Sequence, residues 1–253
     1  MRIILSNYSS LSKESISFLI KNFCTSGILF GDGARNKIKL FELDGKTINI
    51  KSFKKPSFVN KIVYRYFRKS KARRSFEFAT HLLENGIGTP QPYAFAENFD
   101  AIGLADSYYV SEHLKADLTF RELVEFPDFP ERDKILRQFT QFSYLLHQKG
   151  IEFKDHSPGN TLIVKNEVGN YDFFLVDLNR MEFHDNMDFN LRMKNLSRLT
   201  PYKDMVATMS NEYAKVSGES EQTVFEALWK FTTEFQQKYD RKKKLKQKFH
   251  FSK

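Results

Sequence analysis

HQKGIEFKDHSPGNTLIVKNEVGNYDFFLVD, residues 147–177, decides how the chain is read. An apolar-periodic helix, with Ile135, Leu136, Phe139, Phe142, Leu145 and Leu146 at helical spacing, stops at Gly150. A loop follows over 151–160, then two strand-like runs, TLIVK (161–165) and YDFFLV (171–176), joined by a turn at Asn166–Asn170. If Lys165 faces Tyr171, this hairpin sets Asn160 across from Val176, one residue short of Asp177. Two oxygen donors are then neighbours without any long-range assumption. Magnesium takes oxygen ligands in an octahedron, often one or two carboxylates beside phosphate oxygens, so Asn160 and Asp177 suit it. Asp155, on the same loop, is placed to accept a proton from an attacking hydroxyl. A D-x-x-x-x-N loop followed by a metal-binding Asp is the arrangement of phosphoryl transfer. Pro158-Gly159 permits the tight turn between them.

Working outward, Pro130 suits the start of the preceding helix, with Glu131 and Asp133 near its positive end. Downstream, 202–216 and 221–240 are predicted to be helical. Upstream, NKIKLFEL (36–43) and TINIKSF (47–53) alternate around Asp44-Gly45, an antiparallel pair joined by a tight turn. Residues 58–69 carry Val59, Ile62, Val63, Tyr66 and Phe67 as one helical stripe, with Lys61, Arg65, Arg68 and Lys69 on the other faces. A second helix runs from about Lys71 to Glu84 and ends at Asn85-Gly86, before Pro90 and Pro92. SYYVS (107–111) reads as a strand. A strand-rich part therefore precedes a helix-rich part, with the boundary near residue 113.

Composition excludes several classes. Hydrophobic content of 41% and charged content of 28% are those of a globular chain, and the 26 Phe residues are core material. The single cysteine, Cys24, rules out an internal disulfide and Cys-rich zinc sites; it is expected to be buried, in a reduced, intracellular setting. No apolar run approaches a membrane span, and the polar N-terminus does not read as a signal peptide. Net charge is +9, and Lys51–Arg74 holds ten Lys or Arg with no Asp or Glu. Lys238–Lys253 is a second basic cluster. Such blocks suit anionic partners.

The stretches FVNKIVYRYFRKSKARRSFEFATHLLENGIGTPQP (58–92), HQKGIEFKDHSPGNTLIV (147–164) and FFLVDLNRM (173–181) resemble the bacterial lipopolysaccharide core kinase family, the Kdo and heptose kinases. The resemblance runs from about Asn36 to Asp188. It implies an α+β, bilobal protein-kinase-like fold: an N-lobe of antiparallel sheet plus helix over 1–112, and a helical C-lobe over 113–253. It also implies an ATP- and Mg²⁺-dependent kinase acting on a sugar hydroxyl of a lipid-linked core glycan. That enzyme would be cytoplasmic, with peripheral association at the inner face of the cytoplasmic membrane.

The resemblance assigns further roles. Lys51 matches the lysine that holds the α- and β-phosphates, with Glu77 as its ion-pair partner and Glu84 in reserve. VSEHL (110–114) matches the hinge that binds adenine, Glu112 through its carbonyl and Leu114 beside it. Gly31 and Gly33 stand where a phosphate loop belongs, though a third glycine is absent. Departures are as informative. Phe153-Lys154-Asp155 replaces H-R-D, Leu178-Asn179 follows the metal Asp, Ser157 stands where protein-serine kinases carry Lys, and no A-P-E follows. These favour a glycan or small-molecule acceptor over a protein.

Two other readings compete: a small-molecule kinase of the aminoglycoside-phosphotransferase type, and a kinase-like non-catalytic binding protein. The basic run argues against the first, and the complete Lys51, Asp155, Asn160, Asp177 set against the second. Nucleic acid is disfavoured, because helical packing accounts for Tyr64, Tyr66 and Phe67 better than base stacking. His147, His156 and His184 flank the site and read as structural. For 58–69 three roles stay open: Lys61, Arg65, Arg68 and Lys69 meet an anionic acceptor, the helix lies on an anionic membrane, or its stripe packs on the sheet. Oligomeric state is not legible.

Overall fold

The computed structural model describes residues 1–31, 33 and 36–250, with side chains for all of these but 246 and 248–250. The last three residues of the basic tail thus lie outside the described residues. The chain divides into two compact units, Met1–Lys115 with Leu175–Arg180, and Ala116–Phe174 with Met181–Lys253.

The first unit is a six-stranded antiparallel sheet with three helices. Its strands are β1 (Arg2–Leu5), β2 (Ile28–Phe30), β3 (Lys37–Leu43), β4 (Lys46–Ser52), β5 (Pro92–Phe99) and β6 (Leu104–Glu112), in the order β1-β5-β6-β4-β3-β2. Asp44 and Gly45 take φ of 51° and 71°, the left-handed pair that a two-residue hairpin needs, and Leu43 pairs with Lys46 as expected. Helix α1 (Lys13–Lys21), capped by the Ser12 side chain on the Ser15 N–H, was not anticipated. Its Ile16, Leu19 and Ile20 are buried against Phe41, Ile48, Ile50 and Val110, each burial contributing about 1.5–3 kcal/mol. On β4, Ile48 and Ile50 enter that core, so period-two alternation turns Lys51 to the opposite face. There Phe53, Ala72, Phe76 and Phe95 form a smaller core under α3 (Lys71–Glu84). The bounds of α3 are those expected, and Gly86 at φ 69° follows its Asn85 cap. Helix α2 (Phe58–Tyr66) buries none of its residues. Cys24, expected inside, is exposed in the turn after α1.

The second unit is mainly helical. It contains β7 (Leu118–Thr119), α4 (Phe120–Glu125), α5 (Arg132–Gln148), β8 (Ile151–Phe153), β9 (Thr161–Lys165), β10 (Tyr171–Leu175), β11 (Met181–Phe183), α6 (Phe189–Leu196), α7 (Lys203–Ser217) and α8 (Glu221–His250). Strands β10-β9-β7 form one small sheet and β11-β8 another. Phe120, Phe139, Met193, Leu199, Tyr213 and Leu228 lie in one buried core. Pro130 falls just outside α5, because Glu131 occupies the cap at φ 57°. The Asn166 N–H bonds the Asn170 carbonyl at 2.8 Å, so the β9–β10 turn has the expected register. From its last residue, β10 passes into the first unit, which takes in Leu175–Arg180. There the Leu175 N–H meets the Gly88 carbonyl at 2.8 Å, and the Thr89 hydroxyl donates to the Leu175 carbonyl at 2.8 Å.

Candidate active site

In the first unit, alternation on β4 and the Leu175 anchor bring Lys51 and Asp177 together. Lys51 Nζ lies 2.7 Å from Asp177 Oδ1, and 5.4 Å from the centre of the Phe53 ring. Asn179 Nδ2 donates to the same Oδ1 at 2.7 Å. Asp177 has φ 60°, the left-handed region that a side chain bearing Cβ rarely enters. Such a backbone costs on the order of 1–3 kcal/mol and is characteristic of functional sites.

In the second unit, Gly150 (φ 66°) lets the chain pass from α5 into β8. A Cβ there would stand 1.8 Å from the His184 carbonyl oxygen, which only glycine tolerates. β8 is held by β11, with Met181 opposite Phe153 and Glu182 opposite Glu152. The loop beyond β8 closes on itself. Asn160 Nδ2 donates to the Asp155 carbonyl at 2.8 Å, and the Asn160 N–H to the Ser157 carbonyl at 2.9 Å. Arg198 Nη1 donates to the Lys154 carbonyl at 2.5 Å and stands 3.5 Å from Asp155 Oδ1. Lys154 is ion-paired with Glu182. Arg198 lies far along the sequence and matches no motif, so nothing in the sequence singled it out.

A buried polar group supports this loop. His147 meets the Tyr213 hydroxyl at 2.9 Å through Nδ1 and Asn195 Oδ1 at 3.3 Å through Nε2. Asn195 Nδ2 in turn donates to the Phe153 carbonyl at 3.0 Å. Burial pushes the His147 ring down to about 3 and the His156 ring to about 4, so both are neutral packing elements. His184 Nε2 lies 2.9 Å from Glu152. The three histidines are placed structurally, as read from the sequence.

Each of the two expected metal ligands, taken within its own unit, keeps an oxygen that suits a hard cation. The Asn160 amide is oriented by its Nδ2 bond, which leaves its oxygen as the group available to a metal. Asp177 engages only Oδ1 with Lys51 and Asn179, leaving Oδ2.

Other expected contacts differ. Glu77 is bonded to Lys69 at 2.8 Å and to Arg73 at 2.8 Å, which hold its carboxyl below the usual range against the effect of burial. It is not brought to Lys51. The reason is local: Arg73 sits one turn before Glu77, while the sheet-facing side of α3 is Ala72, Phe76 and Ala79. Glu84 is exposed at the helix end. Lys61 pairs with Asp100, and Arg65 Nη1 donates to the Asp100 and Ala101 carbonyls. Three of the four expected acceptor cations, Lys61, Arg65 and Lys69, are thus engaged inside the unit. Arg68 lies near Arg74, whose guanidinium is held below its usual range by burial and by Arg68 and Arg180.

Glu112 closes β6, its N–H on the Gln91 carbonyl at 2.9 Å and its own carbonyl accepting the Ser111 hydroxyl at 3.1 Å. The His113 N–H reaches the Thr47 carbonyl at 3.0 Å, and Leu114 is half-buried beyond it. Gly31 and Gly33, at φ 81° and 62°, follow β2 in sequence.

No family model and no curated protein matches the sequence. Among solved structures, the chain is similar to WaaP in complex with acyl carrier protein. The TM-score is 0.65 over 95% of this chain and 99% of that chain, at 15% identity. The chain has the fold of WaaP. The expected α+β architecture, a strand-rich first unit followed by a mainly helical second one, is therefore present on a fold shared with WaaP. At this identity the likeness to WaaP is one of fold, and the residue roles rest on the contacts described above.

Proposed function

We propose that this protein is an ATP-dependent kinase that transfers the γ-phosphate to a hydroxyl of a Kdo or heptose sugar in the lipopolysaccharide inner core. The observation that carries the reading is the Lys51–Asp177 pair. It sets a phosphate-binding cation beside a metal-binding carboxylate held in a strained backbone, on a chain with the WaaP fold. Lys51 binds the α- and β-phosphates. Asp177 and the Asn160 amide oxygen hold Mg²⁺, which when bound neutralises charge on the phosphoryl group. Asp155 accepts the proton of the attacking hydroxyl, with Arg198 fixing its loop. The Glu112 and Leu114 backbone receives adenine, and Gly31 and Gly33 border the phosphates. Glu77 acts indirectly, by ordering Arg73 on α3 and Lys69 just before it.

The exposed Arg68 guanidinium supplies positive charge for a carboxylate or phosphate on the acceptor. That preference disfavours cationic small-molecule acceptors. The test is transfer of labelled γ-phosphate from Mg²⁺–ATP to Kdo-lipid A, to a heptosylated core and to an aminoglycoside. Labelling of a core sugar supports the reading. Labelling of the aminoglycoside alone transfers the protein to the small-molecule class.

A further inference from the structure

Helix α2 is mounted the wrong way round for an amphipathic helix on a globular body. Its polar side holds it in place: Lys61 on Asp100, Arg65 on the Asp100 and Ala101 carbonyls, and the Lys61 backbone on Gly103. A Cβ on Gly103 would meet the Lys61 carbonyl oxygen at 2.3 Å, so glycine is what permits this approach. The apolar stripe faces outward instead. Phe58, Val59, Tyr66 and Phe67 are 64%, 68%, 66% and 82% exposed, with Ile62 and Val63 half-buried among them. A contiguous exposed apolar face of this kind marks an interaction site.

The surroundings name the partner. Lys54, Lys55 and Arg68 are exposed and have no acidic partner among the described residues, and Arg65 meets neutral groups, two carbonyls and the Tyr66 ring. Lys54 and Lys55 also line a cavity of about 300 Å³ with Lys71 and Ser107. An apolar ridge flanked by unneutralised cations complements an anionic bilayer, with side chains entering the acyl boundary and ammonium groups meeting headgroup phosphates. No described helix is long and apolar enough to cross a membrane, so contact of this kind is made at the surface.

We infer that α2 is a membrane-docking element that inserts Phe58, Val59, Tyr66 and Phe67 into an anionic lipid surface. This does not depend on the reaction proposed above, because binding is read without ATP or acceptor.

The test is partition of the full chain onto phosphatidylglycerol-containing vesicles and onto phosphatidylcholine vesicles, by co-sedimentation. Binding is expected on the first and not the second. The paired substitution Val59→Asp, Tyr66→Asp is expected to weaken it about a hundredfold, from the lost burial of two side chains. Lys54→Gln with Lys55→Gln should weaken it about thirtyfold, since about 1 kcal/mol per cation is roughly fivefold each. Val168→Asp, at an exposed turn of the other unit, should leave it unchanged. A Trp placed at Val59 should shift its emission to the blue on vesicles. Equal binding to both lipids, or binding indifferent to the Val59, Tyr66 pair, would overturn the inference. So would a dimer in sedimentation that the same pair dissolves without any vesicle binding, which would give the face to a second copy of the chain.

Discussion

Replacing Lys51 by Met separates what the ion pair does for the fold from what it does for the reaction. At 2.7 Å the bare attraction to Asp177 is about 1.5 kcal/mol at the dielectric constant of water and about 6 kcal/mol at an effective value of about 20. The Lys51 side chain is 13% exposed but that of Asp177 is 37% exposed, so solvent screening favours the lower figure. A net contribution of about 1–2 kcal/mol is expected, and Asp177 keeps its bond from Asn179 in the variant. Urea unfolding should therefore show Lys51→Met folded and only modestly weakened. Turnover is another matter, because a fixed cation on a transferring phosphate group is typically worth about a hundredfold to a thousandfold in kcat. Steady-state phosphate transfer, run on the same preparation, should fall by at least about a hundredfold, some 2.7 kcal/mol of barrier. A variant that keeps kcat within threefold, or one that loses activity only in proportion to unfolding, would refute the assignment of Lys51 to the phosphates.

Other substitutions probe the loop that carries Asp155. Gly150→Ala should destabilise the protein by about 2–4 kcal/mol in denaturant unfolding, since Cβ meets the His184 carbonyl and φ is positive. Arg198→Met should lower kcat about tenfold with KM for ATP unchanged, as Asp155 and the Lys154 carbonyl lose their common anchor. His147 and His156 are neutral when folded, at about 3 and about 4, and take up protons first in the unfolded chain. The stability they confer is complete above about pH 6.5 and is lost as pH falls from there toward about 4, by up to ~1.4 kcal/mol per pH unit for each. Urea midpoints measured across that window should fall with acid, and His156→Phe should roughly halve the slope.

Much of the site could be read from the sequence because its logic is local. Asp155 and Asn160 share one loop, a five-residue turn returns the chain through β10, and Asp44-Gly45 fixes the hairpin that contains Lys51. Periodicity also located α2 and α3, since an apolar stripe at helical spacing needs no knowledge of its surroundings. What covers a stripe is a tertiary fact. The outward mounting of α2 follows from Asp100 and Gly103, distant in sequence and marked by no motif. Glu77 was placed on the right helix, but only the packing of Phe76 and the nearness of Arg73 and Lys69 decide where its carboxylate goes. Strands β1 and β2, of four and three residues, are too short to carry a pattern. Helix α1 was missed although Ser12 and the Ile16, Leu19, Ile20 spacing were there to be read.

The central claim is most directly tested by turnover and nucleotide affinity in Asp155→Ala, with Mg²⁺–ATP and the preferred core sugar. The account predicts that Mg²⁺–ATP still binds with near-native Kd while transfer falls by about a hundredfold to ten-thousandfold, the loss of a general base. Undiminished transfer in the variant, or no transfer and no nucleotide binding in the native protein, would contradict it.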